Sequence, residues 1–375
     1  GTTLGADNGI GVAAALAVAD DTAVEHGPLE LLFTVSEEQG LDGAKALDAA
    51  FVGGRRLVNL DGTSDGALTI GCAGSDHTLL RLALSGEPVP AGHVVRGVEL
   101  SGARGGHSGG DIAKGRVNAI KALGRVLAAA SREAPFGLGS LDGGVSRNAI
   151  PRDAHAIVSL PAGDEDAFLR AAESELARIV SQHAGTDDGL ALDVAEADAQ
   201  SVADLATTRR ALDLVSAIPT GVLALAPALQ GVVETSTSLT TAVTEAGMLT
   251  LGSMTRSSNA AALDGILETM HALARLGGAT IEVRRSYPPW QPQLDSELLA
   301  AAQATHARLF ESEPTLTLVH GGLECAVLGQ RLPGVEMLSI GPEIVGPHAP
   351  GEKVRIPSTQ RFYRLLGALL DDLSR

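Results

Sequence analysis

The sequence predicts an α/β protein with two domains, in which an α+β segment interrupts a domain built around a mixed sheet. Three observations support this class. In residues 1–74, short apolar runs of strand length alternate with helical stretches. From residue 75 onward, apolar and polar residues alternate, which is typical of half-exposed antiparallel strands. A proline cluster at residues 287–292 marks a linker back to the α/β pattern.

These observations divide the chain into three segments. A chain of 375 residues exceeds one compact core. We expect residues 1–74 and 286–375 to form one discontinuous domain and residues 75–285 to form the inserted one.

Within the inserted domain and the final segment, the apolar periodicity predicts most elements individually. The predicted strands are 79–84, 94–100, 154–160, 239–243, 248–254, 315–319 and 336–340. The predicted helices are 117–130, 165–182, 202–216, 259–275, 296–310, one that begins at 323, and a last one around 362–373.

Acidic residues stand at successive element ends in the first segment. Asp7 lies between glycines directly before a run of small apolar residues that we interpret as a buried helix. Glu37 and Glu38 follow one apolar run, and Asp61 follows another. Such ends meet at the carboxyl edge of a parallel sheet, where sites form. Any one of these acids alone would be read as a solvated turn residue, but four in this order favour a shared site.

The pair Glu37 and Glu38 follows residues 29–35, an apolar run of strand length. Adjacent residues of an extended chain point to opposite sides. We therefore expect one carboxylate to hold a metal while the other faces a substrate. A short helix is predicted next, at residues 43–50.

Composition and charge exclude several classes of protein. The net charge is −17 and aromatic residues make up only 2% of the chain. Repulsion opposes binding to nucleic acid or to anionic lipid, so neither is an expected partner. No apolar run reaches the roughly 20 residues of a membrane helix. The two cysteines, Cys72 and Cys325, are expected to be buried and reduced, so the protein is expected to be soluble and cytoplasmic.

Ordered sequence blocks run from residue 1 to about residue 356. They are 1–13, 26–30, 33–38, 59–61, Gly105-Gly106-His107-Ser108-Gly109, Asn148-Ala149-Ile150-Pro151, Arg256-Ser257-Ser258, His320-Gly321-Gly322-Leu323-Glu324-Cys325 and Pro347-His348-Ala349-Pro350-Gly351-Glu352. Together they resemble the aminoacyl-histidine dipeptidases (Xaa-His dipeptidases, peptidase D) of the carnosinase-like zinc metallopeptidase family. The resemblance implies a discontinuous zinc-peptidase catalytic domain interrupted by a lid and dimerisation domain, at residues 75–285, and a homodimer.

The resemblance also implies a pair of zinc ions per subunit, for which cobalt or manganese can substitute. Asp7 would bridge the ions, Glu38 and His348 would hold one, and Asp61 would hold the other. Glu37 fits the general base. Family members often have a cis peptide bond after the bridging aspartate.

Substrate contacts follow from the same resemblance. His107 corresponds to a lid histidine that stabilises the oxyanion in the partner subunit, although a structural turn histidine remains the alternative. Arg256 can bind a substrate carboxylate through two hydrogen bonds, and Asn148 can donate to the same end. His320 and Glu324 are assigned to the substrate pocket.

The implied function is zinc-dependent hydrolysis of dipeptides, preferentially carnosine-like Xaa-His dipeptides, by zinc-bound hydroxide. Alternatives are a related dipeptidase, tripeptidase or N-acyl amino acid deacylase, and a truncated, non-catalytic remnant. Family members carry a His-x-Asp motif upstream of the Asp7 block, and its histidine is a ligand of the Asp61 ion. We expect the 375-residue fragment to bind about one zinc, to hydrolyse dipeptides poorly and to expose apolar sheet surface.

Overall fold

The computed structural model describes residues 2–84 and 86–375, which form two compact units. The first unit extends to Gly74 and also includes Ala226–Val232 and Tyr287–Arg375, while Ser75–Leu225 and Val233–Ser286 form the second. The segment Ala226–Val232 differs from the sequence-based division, which assigned it to residues 75–285. The reason is that Leu229 packs in the apolar core of the first unit.

The helices lie at the following positions in the described residues. They are α1 Ala6–Asp20, α2 Glu37–Gly40, α3 Asp42–Ala46, α4 Ala119–Glu133, α5 Glu165–Gln182, α6 Leu205–Ala217, α7 Ala260–Gly277, α8 Glu297–Phe310, α9 Glu324–Arg331 and α10 Ile356–Ser374. None of the helices in this part of the chain has the length and apolar character that a membrane span requires.

The strands complete the description. They are β1 Arg56–Asn59, β2 Ala67–Cys72, β3 Gly74–Ala83, β4 Gly86–Pro88, β5 His93–Ser101, β6 Gly106–His107, β7 Gly137–Gly143, β8 Ala149–Ile150, β9 Ala154–Pro161, β10 Ala191–Glu196, β11 Ser201–Ala203, β12 Gly221–Leu225, β13 Val233–Glu245, β14 Met248–Ser257, β15 Thr280–Tyr287, β16 Thr315–Val319, β17 Glu336–Ser339, β18 Ile344–Val345 and β19 Lys353–Val354.

The first unit contains a mixed four-stranded sheet with the order β1-β17-β2-β16. The pairs β1–β17 and β16–β2 are parallel, whereas β17 and β2 run antiparallel. Apolar residues of this sheet pack with α8 and α10 in one core, in which Leu68, Leu338, Leu298 and Leu369 are buried. Asn59 and Ser339 end neighbouring parallel strands, so the segments that follow them leave the sheet at the same edge.

The second unit is an α+β unit with a larger sheet. Its strand order is β10-β5-β9-β7-β13-β14-β3-β15, and β12 also pairs with β13. The pairs β5–β9, β7–β9 and β13–β14 are antiparallel. Residues of α4 pack against the sheet in a core that includes Leu123, Leu127, Val158 and Leu239. The α/β class with a mixed sheet and an inserted α+β segment is therefore confirmed.

Of the helix predicted at residues 43–50, α3 covers only part, because it spans Asp42–Ala46. The first segment differs from the sequence-based prediction at three further places. Residues 29–35 do not form a strand, and five of their apolar side chains are exposed. A strand needs a neighbouring ladder, and the backbone–backbone hydrogen bond described for this run is a local one from the Gly43 N–H to the Val35 carbonyl. The small apolar run in α1 is buried on one face only, because Val12 and Leu16 are exposed.

The third difference concerns Glu37 and Glu38. They lie in the first turn of the short helix α2 rather than on an extended chain. Adjacent helical residues differ in direction by about 100°. The side chains still diverge, but the reason we gave from strand alternation was wrong.

Candidate active site

Asp7 is held at the start of α1. Gly5 has a left-handed backbone (φ 75°), and Asp7 and Asn8 have non-helical angles, so the regular helix begins after them. The Asn8 side chain caps it by accepting a hydrogen bond from the Gly11 N–H at 2.9 Å. The peptide bond between Asp7 and Asn8 is cis, as the resemblance implied.

Gly11 allows this helix start to lie close to the strand segment that precedes Asp61. A Cβ on Gly11 would lie 2.6 Å from the Leu60 carbonyl oxygen and would also overlap the Asn8 amide. Only glycine permits that approach. The backbone therefore brings the Asp7 and Asp61 segments together.

His348 lies in the loop between β18 and β19. Its backbone is left-handed (φ 63°), a conformation that is uncommon for a residue with a side chain and is found more often at functional sites. Its Nε2 atom lies 3.1 Å from Asp7 Oδ2 and 3.0 Å from Glu38 Oε2. Asp7 and His348 are 341 positions apart in the sequence. The fold thus brings three predicted ligands from three separate segments into contact.

These three side chains form a candidate metal site. Asp7, Glu38 and His348 each offer one donor atom, and the three atoms lie within 4.8 Å of one another. Zinc is held by imidazole nitrogen and carboxylate oxygen at about 2.0–2.2 Å, so tetrahedral donors lie about 3.4 Å apart. The distances from the His348 nitrogen to the Glu38 and Asp7 oxygens, 3.0 and 3.1 Å, are close to this value. The donor set therefore fits zinc, both in its chemistry and in its spacing.

Asp61 lies beside this group, although it does not belong to the three-donor cluster. Burial, the nearby Asp7 and Glu37 charges and a hydrogen bond with Asp7 raise the pKa of Asp61 to about 8. The Asp61 N–H is held by the Asn59 side chain at 3.1 Å, and Asn59 also accepts from the Ser339 hydroxyl. The sheet edge therefore holds Asp61 against Asp7, where a second ion would use both carboxylates.

The Glu37 carboxyl is surrounded by negative charge. Burial and the charges of Glu38, Glu324 and Asp7 raise the pKa of Glu37 to about 7. Burial likewise raises the pKa of Glu38, and the neighbouring His348 opposes that rise. A cation bound among these acids would offset their mutual repulsion. A glutamate with a pKa near neutrality can both accept and release a proton in one reaction cycle.

Glu324 begins α9 and is almost fully buried, with 8% of its surface exposed. Its Oε2 accepts a hydrogen bond from the Thr34 hydroxyl at 2.7 Å, and burial raises its pKa. His320 lies in the bend after β16 and is half-buried. Glu324 and Glu37 interact electrostatically, so Glu324 belongs to the same acidic group.

In the second unit, three predicted residues come together around a short antiparallel strand pair. The two-residue strands β6 and β8 pair with His107 opposite Ala149. The Ser108 N–H donates to the Asn148 carbonyl at 2.8 Å, and the Asn148 side chain accepts from the Arg256 guanidinium at 3.4 Å. Arg256 is buried, with 4% of its surface exposed. His107, Asn148 and Arg256 therefore form one polar cluster.

The hydrogen bonds of His107 fix the position of its ring proton. Its Nδ1 atom accepts from the N–H groups of Gly109 and Gly110, at 3.2 and 3.0 Å. An acceptor nitrogen carries no proton, so in the neutral ring the proton lies on Nε2. Partial burial and the Arg256 charge lower the pKa of His107, which favours this neutral form. His107 is thus arranged to donate one hydrogen bond through Nε2.

Sequence reasoning missed two residues of the site. Thr34, which binds Glu324, lies in the exposed apolar run and carried no signal of its own. Glu352 was part of the block that ends in Pro-Gly-Glu, but no role was assigned to it. Both cysteines are buried, as predicted.

The chain is similar to known peptidases in sequence and in fold. Residues 1–372 match the model of Peptidase family M20/M25/M40. The cytosol non-specific dipeptidase of Escherichia coli (strain K12) is 37% identical over 374 residues, which is 100% of this chain and 77% of that protein. The crystal structure of aminoacylhistidine dipeptidase from Vibrio alginolyticus matches with a TM-score of 0.92 and 36% identity over 99% of this chain and 76% of that one. Aminopeptidase PepT from Bacillus cereus ATCC 10987 has a TM-score of 0.50 and 16% identity, over 100% of this chain and 72% of that one, a likeness of fold alone.

Proposed function

The chain belongs to peptidase family M20/M25/M40, and from that premise we propose that it is a zinc-dependent dipeptidase that prefers Xaa-His dipeptides. The observation that carries the proposal is the convergence of Asp7, Glu38 and His348 on one point, with Glu37 and Asp61 beside them. The relatives reported above are peptidases by name. The Escherichia coli relative is named a cytosol dipeptidase, which supports a cytoplasmic location for this protein.

In this proposal Asp7, Glu38 and His348 would hold one zinc ion, and Asp7 and Asp61 would contribute to a second. The chemistry that the metal supplies when bound is Lewis-acid polarisation of the amide carbonyl and a lowered pKa of water. The described residues offer three donors to the first ion and two to the second. We therefore expect the first ion to bind more tightly, because catalytic zinc usually has three protein ligands.

Glu37 is the proposed general base. Its carboxylate accepts a proton from water as the water oxygen adds to the amide carbon. It then delivers that proton to the amide nitrogen, the C–N bond breaks, and Glu37 returns to its ionised form. Burial together with the neighbouring carboxylates raises the pKa of Glu37 in the metal-free site, and a carboxylate of raised pKa is a stronger proton acceptor.

The substrate is held by groups that match a dipeptide. Arg256 and Asn148 are proposed to bind its terminal carboxylate, because guanidinium and amide N–H groups suit a planar anion. His107 donates through Nε2 to the carbonyl oxygen as negative charge develops there. We propose that the protein is a homodimer, that residues 75–285 form its lid and dimerisation domain, and that His107 serves the partner's site. His320 and Glu324 complete the substrate pocket.

Two relatives bear different names, one non-specific and one aminoacylhistidine-directed, so preference must be measured. The full-length protein is stripped of metal, titrated with zinc, and assayed on carnosine, Xaa-His dipeptides and dipeptides without histidine. We expect activity to return with zinc and to be greatest on Xaa-His substrates. Equal rates on all dipeptides would overturn the preference, and undiminished activity without metal would overturn zinc dependence.

Glu37→Gln tests the base directly, because it keeps the size of the side chain and removes its basicity. We expect kcat to fall by at least about 100-fold while the zinc content stays unchanged. Glu25→Gln, at an exposed position, is the matched control and should behave like the wild type. A Glu37→Gln enzyme within about threefold of the wild type would show that Glu37 is not the base.

A further inference from the structure

Glu352 links two segments of the candidate metal site, the loop that carries His348 and the backbone that carries Asp7. Its Oε2 accepts a hydrogen bond from the Gly5 N–H at 2.7 Å, and its Oε1 accepts one from the Asp7 N–H at 3.0 Å. The side chain is buried, with 8% of its surface exposed. Both carboxylate oxygens are thus used by the backbone segment that carries Asp7, 345 and 347 positions away in the sequence.

The same loop carries His348, four residues before Glu352. The Glu352 N–H donates to the Ala349 carbonyl at 3.0 Å, which folds the loop back on itself. The antiparallel pair β18–β19 closes the base of the loop. The same loop therefore places the His348 ring at the metal site and binds the Asp7 backbone through the hydrogen bonds of Glu352.

We propose that Glu352 is a positioning residue that sets the distance between the Asp7 carboxylate and the His348 ring and thereby raises the affinity for the metal. Glu352 does not belong to the three-donor group of Asp7, Glu38 and His348, and each of its oxygens accepts from a backbone N–H group instead. The inference rests on the proposed function, since it concerns the metal site assigned there. It assigns a role to a residue outside the predicted ligand set.

The chemistry of the contact supports this role. Each oxygen of the Glu352 carboxylate accepts from one backbone N–H group, that of Gly5 or that of Asp7. Hydrogen bonds to a carboxylate are about twice as strong as those between neutral groups. Residues that orient metal ligands affect affinity by about 10–100-fold when they are changed.

Glutamine is an informative replacement because it has nearly the same shape. It keeps one oxygen but places an NH2 group against the second backbone N–H, so one of the two hydrogen bonds is lost and two donors face each other. Aspartate would be too short by one methylene to reach both donors. Glu352→Gln therefore disturbs the position of Asp7 without leaving a cavity.

The matched control is Glu343→Gln. Glu343 lies just before β18, and its side chain is paired with Arg355 at 2.8 Å on the partly exposed surface. It has the same charge and undergoes the same chemical change. Among the described residues, Glu343 makes no hydrogen bond to the backbone segment that carries Asp7.

The experiment measures zinc affinity in the full-length protein by competition with a chromophoric chelator, together with the visible spectrum of the cobalt-loaded form. We expect Glu352→Gln to raise the zinc Kd by about 10–100-fold and to change the cobalt spectrum, whereas Glu343→Gln matches the wild type. Excess zinc should restore much of the dipeptidase activity of Glu352→Gln. The melting temperature of the metal-free variants should be similar, which separates positioning from a general loss of folding.

The outcomes separate this inference from the proposed function. A Glu352→Gln protein with wild-type zinc affinity and cobalt spectrum overturns the positioning role while leaving the dipeptidase proposal intact. A wild-type protein that binds zinc but hydrolyses no dipeptide overturns the proposed function and leaves the role of Glu352 standing if the affinity shift is seen. A wild-type protein that binds no zinc overturns both.

Discussion

Replacing Asp61 by asparagine should stabilise the metal-free protein. The pKa of Asp61 is raised to about 8 from an ordinary value of 3.8, first by burial and then by the charges of Asp7 and Glu37. The folded state therefore holds a proton between these pH values that the unfolded chain releases. Because the folded state binds more protons, this group lowers the free energy of unfolding as pH rises from about 4 to about 8.

The magnitude follows from the shift. At pH 7, keeping Asp61 protonated in the folded state lowers the free energy of unfolding by at most about 4 kcal/mol. This bound is the distance from pH 7 to the ordinary pKa of 3.8, multiplied by 1.36 kcal/mol per pKa unit. Because Asp61 shares its proton with neighbouring acids, we expect Asp61→Asn to raise the free energy of unfolding at pH 7 by about 2 kcal/mol. Asparagine is neutral and can still donate a hydrogen bond to Asp7, as a protonated aspartate does.

The assay is denaturant unfolding of the metal-stripped protein at pH 5 and pH 8. We expect Asp61→Asn to be more stable than the wild type at pH 8, with a smaller advantage at pH 5. With zinc added, the wild type should become the more stable of the two proteins, because zinc binds the wild-type site more tightly. Asp65→Asn is the control, since Asp65 pairs with Arg361 at 3.3 Å on the surface and should lose at most about 1 kcal/mol. An Asp61→Asn protein no more stable than the wild type at pH 8 would refute the reasoning.

Two further predictions concern the helix start and the lid histidine. Gly11→Ala should destabilise the protein by about 1–3 kcal/mol in thermal unfolding, because its Cβ would overlap the Asn8 side chain, whereas Gly9→Ala, with open space around it, should be neutral or mildly stabilising. His107→Ala should lower kcat by about 100-fold without loss of zinc. Mixing His107→Ala chains with Glu37→Gln chains should restore activity in heterodimers, and a mixture no more active than either parent would contradict the trans role.

The sequence predicts the elements well where the pattern is local. Helix α5 and strand β16 have the bounds expected from apolar periodicity, and β1 ends just before Asp61 as predicted. Each of these signals comes from residues close together in the chain. The fold class could therefore be predicted from periodicity together with the order of the elements.

The run at residues 29–35 shows where local pattern fails. Its composition suits a strand, but a strand forms only when another segment supplies the ladder. The periodicity does not reveal whether that partner lies beside it. The consequence extends to Glu37 and Glu38, whose placement we derived from a strand and which lie instead on a short helix.

Part of the candidate site is equally invisible to local pattern. Thr34 meets Glu324 across 290 positions, and Glu352 meets the Asp7 segment across 345. Neither contact leaves a trace in spacing or composition. The His107 tautomer likewise depends on two backbone N–H groups whose direction only the folded loop determines.

The long sequence separation at the metal site also links metal binding to folding. Asp7 and His348 lie near opposite ends of the chain, and their acidic neighbours repel one another when no cation is present. A bound cation would remove that repulsion and close a loop of 341 residues. The ligands come together only in the folded state, so the free energy of metal binding adds to the free energy of unfolding.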